Sequence, residues 1–151
     1  MNERIDKRKS LIKAISAIDR YSQTYIGRNV KDYNIGQGQW AFLTQLLFNY
    51  DGITQEELSE LLNIDKANTA RALKKLEEEG YVYREEDPKD GRKKIVYVTA
   101  KARDFEQEFH EVFKGLNRIL AKDFTEDERE TARRILYKML DNIADYERRH
   151  R

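Results

Sequence analysis

The sequence predicts a mainly α-helical fold carrying one small β-hairpin. Three observations lead there: apolar residues recur at helical spacing near both ends of the chain, two Thr-x-x-Glu boxes mark helix starts, and residues 81–98 switch to strand-like composition around a turn containing Pro88 and Gly91.

The elements follow in order. Charged residues dominate positions 2–9, read as a frayed beginning to the first helix. From Ser10 onward Leu11, Ile15, Ile18 and Tyr25 define one apolar face of a helix reaching residue 28. Residues 34–38 hold two glycines and read as a loop. A helix over 39–49 turns Trp40, Leu43, Leu46 and Leu47 inward, and the Asp51-Gly52 pair stops it. Thr54 and Glu57 form a capping box that opens a short helix, Gln55–Leu62, and Asp65 caps the next, which runs to Glu79 before Gly80. Ala67, Ala70, Leu73 and Leu76 are expected on its buried side. Strands are predicted over 81–84 and 95–98, joined by a connection too long for a two-residue turn, so that its tip projects. Phe105 to Leu120 resumes helical periodicity. A second capping box, Thr125 with Glu128, opens a last helix with a stripe of Ala132, Ile135, Met139, Ile143 and Tyr146.

Bulk composition bounds the function. A hydrophobic fraction of 39 %, with 11 % aromatic residues, argues against disorder, and 38 % charged residues predict well-solvated helices. The net charge of +1 is uninformative because 29 Lys and Arg nearly cancel 28 Asp and Glu, so local clusters must decide the partners. The absence of cysteine excludes disulfides, thiolate metal sites and thiol-based sensing. No stretch reads as a signal peptide or reaches the roughly 18 apolar residues of a membrane span, and the expectation is a cytoplasmic protein with no membrane partner. His110 and His150 show no zinc-ligand spacing, and no phosphate loop or paired acid–base motif is present. Neither catalysis, a cofactor nor a metal site is expected.

The central third carries the chemistry. Gln55–Leu62, a short linker and the helix over 66–79 have the lengths of a helix-turn-helix. Between residues 66 and 75 stand four bases, Lys66, Arg71, Lys74 and Lys75, and no acid, whereas the preceding helix carries Glu56, Glu57 and Glu60. The second helix is therefore the groove-entering one. Lys66, Asn68, Thr69 and Arg71 are expected to face outward, where Asn can pair with adenine, Arg with guanine and the Thr methyl with thymine. Lys74 and Lys75 suit phosphate contacts. An ordinary solvated helix face is the bland alternative. The hairpin adds Lys89, Arg92, Lys93 and Lys94, with Asp90 the acid among them. Arg92 suits a narrow, electronegative minor groove. Asp90 is expected to orient Arg92 or a recognition-helix cation, or else serves only the turn.

These segments define a winged helix-turn-helix DNA-binding domain over 36–99. An N-terminal dimerisation helix and linker (1–35) and C-terminal dimerisation helices (100–151) flank it. The terminal apolar stripes need partners, supplied by a second copy or by packing within one chain. Two modules fix the spacing and register on double-stranded DNA that one cannot. A noncatalytic helical protein-interaction module is the runner-up, using the same helices with the wing away from DNA.

Over residues 38–99 the sequence resembles the MarR family of bacterial and archaeal regulators. The segments that carry the likeness are Thr54-Gln55-Glu56-Glu57-Leu58, Asn68-Thr69-Ala70-Arg71-Ala72-Leu73, Leu76-Glu77-Glu78-Glu79-Gly80-Tyr81-Val82-Tyr83-Arg84, Asp87-Pro88-Lys89-Asp90-Gly91-Arg92-Lys93 and Val98-Thr99. The resemblance implies a triangular homodimer, joined through first and last helices, that binds a pseudopalindromic operator and usually represses transcription. It gives Arg71 a supporting or DNA-contacting role and assigns Asp90 and Arg92 to the wing. Lys93 stands where a second arginine is frequent, which leaves a bidentate phosphate contact there in doubt. Ala102 replaces a frequent glycine. The resemblance further implies a cleft for a small phenolic or other amphipathic effector. Tyr21, Tyr25, Trp40, Phe42 and Phe48 are the aromatic candidates for it, with plain core packing as the alternative for each.

Overall fold

A computed structural model of the chain describes residues 9–49 and 51–151, so the expected lead-in lies, up to residue 8, outside the described residues. The chain forms two compact units, one ending at Leu116 and one running from Asn117 to Arg151. The order is α1 (Leu11–Val30), a 3-10 turn (Lys31–Tyr33), α2 (Trp40–Phe48), β1 (Ile53–Thr54), α3 (Gln55–Leu62), α4 (Lys66–Glu78), β2 (Val82–Asp87), β3 (Asp90–Val98), α5 (Ala100–Asp104), α6 (Glu106–Leu120) and α7 (Glu126–Arg149). This is the mainly helical, winged helix-turn-helix architecture that the sequence predicts.

The core of the first unit forms where leucines concentrate. Leu43, Leu46 and Leu47 of α2, Leu58 of α3, and Leu73 and Leu76 of α4 are buried together with Val82, Val96 and Val98 of the sheet. Each such side chain contributes roughly 1.5–3 kcal/mol on burial, so this cluster clamps the helix-turn-helix onto the base of the wing. The local signals agree. Thr54 and Glu57 form the reciprocal capping box of α3, and Asn63 ends that helix in the left-handed region at φ 53°. Asp65 caps α4 by accepting from Asn68 N at 2.8 Å. Gly80, at φ +80°, closes α4 with Tyr81 N donating to Leu76 O at 2.9 Å, a Schellman stop that a Cβ would strain. Beyond it the Tyr81 hydroxyl donates to Tyr33 O, and the Tyr33 hydroxyl to the Glu108 carboxylate. That bond, then burial, pushes the Tyr33 pKa up to about 12.

The structure corrects the sequence reading in four places. First, β1 pairs antiparallel with β3 (Ile53 with Val96, Thr54 with Ile95), giving a three-stranded sheet ordered β1-β3-β2. Two residues are too short to show alternation. Second, the hairpin has no long connection. Its strands pair as far as Asp87 with Asp90, across a register shift between Glu86 and Asp87, and close on Pro88-Lys89. Proline presets one torsion, Lys89 N donates to Asp87 Oδ1 at 2.9 Å, and Gly91 needs no positive φ. Charged residues read as loop lie on a ribbon with solvated surfaces, where Glu86 and Lys94 pair at 3.6 Å. Third, the helix after the wing breaks at Phe105 (φ −100°, ψ 0°), whose ring packs 4.6 Å from that of Tyr33. No glycine or proline announces the break.

The fourth correction concerns α4. Its buried residues are Thr69, Ala72, Leu73 and Leu76, while Ala67 is exposed and Ala70 half-buried. Both stripes have helical spacing through Leu73 and Leu76. The one chosen in the fold places Thr69 against Ser59 of α3.

The terminal helices leave apolar residues uncovered within one chain. In α1, Ile26 and Val30 are buried, but Leu11, Ile12, Ile15, Ile18 and Tyr21 are exposed. In the second unit α7 opens with the predicted capping box at Thr125 and Glu128 and has no buried residue. Ile135, Ile143 and Tyr146 of its stripe are exposed, as are Leu136, Tyr137 and Leu140.

Candidate nucleic-acid interface

The N-terminal half of α4 is ordered by carboxylates. Asp65 accepts from Asn68 N and, at 2.6 Å, from Asn68 Nδ2; Asn68 Oδ1 in turn accepts from the Arg71 guanidinium. The Asn68 backbone bond foremost holds the Asp65 carboxyl below its usual range. Lys66 projects at the helix start, with its ammonium 3.0 Å from Glu56 Oε1. That hydrogen bond lowers the Glu56 pKa, and Lys93 of the wing adds to the effect through space. Lys74 and Lys75 are exposed further along and form no ion pair with the described residues.

Of the six residues expected on this helix, five are exposed: Lys66, Asn68, Arg71, Lys74 and Lys75. Thr69 is the exception. Its side chain is 0 % exposed, its Oγ1 accepts from Ser59 Oγ at 2.7 Å, and it donates to Asp65 O at 2.9 Å. Its methyl is therefore unavailable to a thymine, and the residue instead closes α4 onto α3.

On the wing, Lys89, Arg92, Lys93 and Lys94 are all exposed. Asp90 accepts from Arg92 N at 3.1 Å and from Arg92 Nε at 3.2 Å, combining the orienting and the turn-forming roles. The side-chain bond first, then the backbone bond, keeps its carboxyl below the ordinary value. A residue that sequence reasoning passed over fixes the wing's attitude. Arg84 of β2 donates to Glu77 of α4 (3.1 and 3.2 Å) and to Gln55 Oε1 of α3 (3.2 Å), so one guanidinium links both helices to the wing. Partners 7 and 29 positions away leave no local signal of this.

Among the described residues the five aromatic candidates for an effector cleft take different environments, although Trp40 and Phe48 both pack against Phe113. Phe42 is core at 1 % exposure and Tyr21 is 80 % exposed. Tyr25 is half-buried, with its hydroxyl beside Gly115. Phe48 lines a hollow with Arg103 and His110, and Trp40 lines a different cleft of about 320 Å³ with Arg20, Gln23, Val30, Ile35 and Gln37. Trp40 Nε1 donates to Gln23 Oε1 at 3.0 Å. Helical sequence spacing cannot distinguish a cleft-lining ring from a core ring, which is why the five were grouped.

Among the described residues no cluster of His, Asp and Glu could hold a metal, and no helix is long and apolar enough to cross a membrane.

Comparison with known proteins agrees with this geometry. The sequence model of the MarR family matches residues 36–94. The chain is 34 % identical to the HTH-type transcriptional regulator YdgJ of Bacillus subtilis, across 75 % of this chain and 68 % of that one. It resembles the crystal structure of a MarR transcriptional regulator from Methanosarcina mazei Go1, with 41 % identity, a TM-score of 0.82 and coverage of 89 % of this chain and 96 % of the other. It also resembles a MarR family transcriptional regulator from Listeria monocytogenes solved in complex with 26mer DNA, with 28 % identity, a TM-score of 0.85 and 91 % coverage of both chains.

Proposed function

Since the chain belongs to the MarR family and is thus a DNA-binding transcriptional regulator, we propose that it acts as a homodimer on a pseudopalindromic operator and represses transcription there. In this reading α4 lies in the major groove, with Asn68 and Arg71 at base edges and Lys74 and Lys75 at phosphates. Arg92, braced by Asp90, reaches the adjacent minor groove, and Lys89, Lys93 and Lys94 meet the backbone.

One observation carries the reading: exposed cations stand on two separate elements of one compact unit, α4 and the wing, and Arg84 ties those elements together. The uncovered apolar residues of α1 and α7 support the dimer, because contiguous exposed stripes of this kind mark association surfaces. Half-sites about 34–36 Å apart then let both α4 helices enter successive major grooves on one DNA face.

The cleft beside Trp40 is the favoured effector site. Its volume lies at the lower end of the range for small-molecule pockets. Val30, Ile35 and the indole offer apolar contact, while Arg20 and two glutamines offer polar anchors suited to a small acidic or phenolic molecule. Trp40 is the chain's sole tryptophan, so its fluorescence reports occupancy.

The test is selection of bound fragments from a random duplex library with purified protein, repeated with Arg71→Ala and Arg92→Ala. The expected result is an enriched inverted repeat that both variants bind much more weakly while retaining fold and dimerisation. A folded dimer that enriches nothing, or variants with unchanged affinity at equal salt, would favour the protein-interaction reading instead.

A further inference from the structure

Several cations of α4 and the wing are held by carboxylates of the first unit. Asp65 holds Asn68 and, through it, Arg71; Asp90 holds Arg92; Glu56 holds Lys66. Two of these acids have structural duties as well, since Asp65 caps α4 and Asp90 shapes the wing turn. Glu56 has neither duty. The capping box of α3 is made by Glu57, and the bond recorded for the Glu56 side chain is the one to Lys66 across the helix-turn-helix, with side-chain exposures of 44 % and 78 %.

The position of the pair matters. Lys66 is the first residue of α4, the end that leads into the groove, and Lys93 of the wing is close enough to influence Glu56 through space. Glu56 thus stands beside the leading cation of the recognition helix, 3.0 Å from its ammonium. A lysine whose charge is already neutralised by a neighbour releases no counterion when a phosphate approaches, so it adds nothing to sequence-independent affinity unless the pair opens.

We infer that Glu56 restrains sequence-independent DNA binding: by holding Lys66 it withholds one phosphate contact from duplex and so weakens non-specific association. This rests on the proposal that α4 faces DNA. Sequence-independent affinity is what holds such a protein on the large excess of non-operator sites, and that is the term Glu56 acts on.

The experiment measures binding of the dimer to a labelled duplex of scrambled sequence, by fluorescence anisotropy, across a salt series. Glu56→Gln keeps the size of the side chain and removes its charge; Glu56→Ala guards against a new contact from the amide. Both are expected to bind more tightly at low salt and to steepen the slope of log K against log salt by about 0.9, so that affinity falls roughly 3.5-fold further between about 50 and 200 mM salt. In a Lys66→Met background the same substitutions are expected to lose that extra slope. The inference is overturned if Glu56→Gln leaves slope and affinity unchanged, or if its gain persists without Lys66, which would make Glu56 a simple repulsive charge. Lys74→Ala and Arg92→Ala separate the two levels of the argument. If they weaken duplex binding while Glu56→Gln has no effect, only the latch fails; if no variant matters, the placement of α4 on DNA fails with it.

Discussion

Replacing Thr69 by valine tests the buried link between the two helices of the helix-turn-helix. The substitution keeps the shape and removes a hydroxyl that accepts from Ser59 at 2.7 Å and donates to Asp65 O at 2.9 Å. With Thr69 0 % and Ser59 5 % exposed, water cannot readily replace the lost partner. Stranding a buried hydroxyl costs about 1–3 kcal/mol, whereas replacing both partners with apolar groups is nearly neutral. At this chain length 1 kcal/mol corresponds to roughly 2–4 °C, so Thr69→Val should lower the melting temperature by about 2–12 °C. Ser59→Ala should cost less, because Thr69 keeps its bond to Asp65 O. The double variant should be more stable than Thr69→Val alone, with a coupling of about 0.5–3 kcal/mol. Thermal and urea unfolding at one fixed protein concentration measure all four corners of the cycle, the fixed concentration being needed because association shifts apparent stability. Strictly additive effects, or a Thr69→Val protein as stable as the parent, would show that the Ser59–Thr69 hydroxyl pair contributes no coupling between α3 and α4. A variant of unchanged stability that had lost a preference at a single thymine would reinstate Thr69 as a base contact.

Two further outcomes follow from the geometry. Gly52→Ala places a Cβ 2.9 Å from Tyr97 Cε1 on backbone at φ +83°, so it should destabilise by at least the ~1–2 kcal/mol of the left-handed conformation, read as a lowered urea midpoint. Arg84→Ala removes the bond that holds Glu77 below its ordinary pKa of 4.5. Because the folded value is the depressed one, that part of the stabilisation is complete above about pH 4.5 and fades as pH falls through the folded value. The pair is partly exposed, so about 0.5–1 kcal/mol is expected at neutral pH. Unfolding curves should show a penalty that is larger at pH 7 than at pH 3, leaving the pH-independent remainder from Gln55; an equal penalty at both would contradict the assignment.

Much of the fold was legible because its signals are local. Thr54 with Glu57, Asp65, Gly80 and Thr125 with Glu128 each announce a helix end within four residues, and the structure uses all of them. What escaped depends on distant partners. β1 exists because β3 passes beside it, Phe105 breaks a helix in the company of Tyr33, and Thr69 turns inward because Ser59 waits on α3. At the candidate interface the charge pattern identified exposed cations, and composition showed which acids were near in sequence. It did not show that Glu56 would bridge to Lys66 ten positions on, or that Arg84 would span two helices. The effector aromatics take different environments for a related reason: helical spacing alone does not show whether a ring ends in the core, in solvent or beside a cleft, as Phe42, Tyr21 and Trp40 respectively do.

Regular pairing of β2 with β3 runs from Val82 with Val98 to Glu86 with Lys94, and the register shift beyond it leaves residues 91–93 outside the even two-sided alternation. Arg92 and Lys93 thus lie where the ladder is irregular, while Lys94 and Val96 share one side of β3 and Ile95 and Tyr97 the other. Removing a single residue from positions 91–93 changes the bulge and leaves the sides of the regular ladder as they are, whereas removing one between Lys94 and Val98 exchanges them. Removing a matched pair from each strand would keep the sides and withdraw the tip by about 7 Å. Length changes in the regular ladder should therefore be tolerated by parity before they are tolerated by size, and those at the tip need not follow parity.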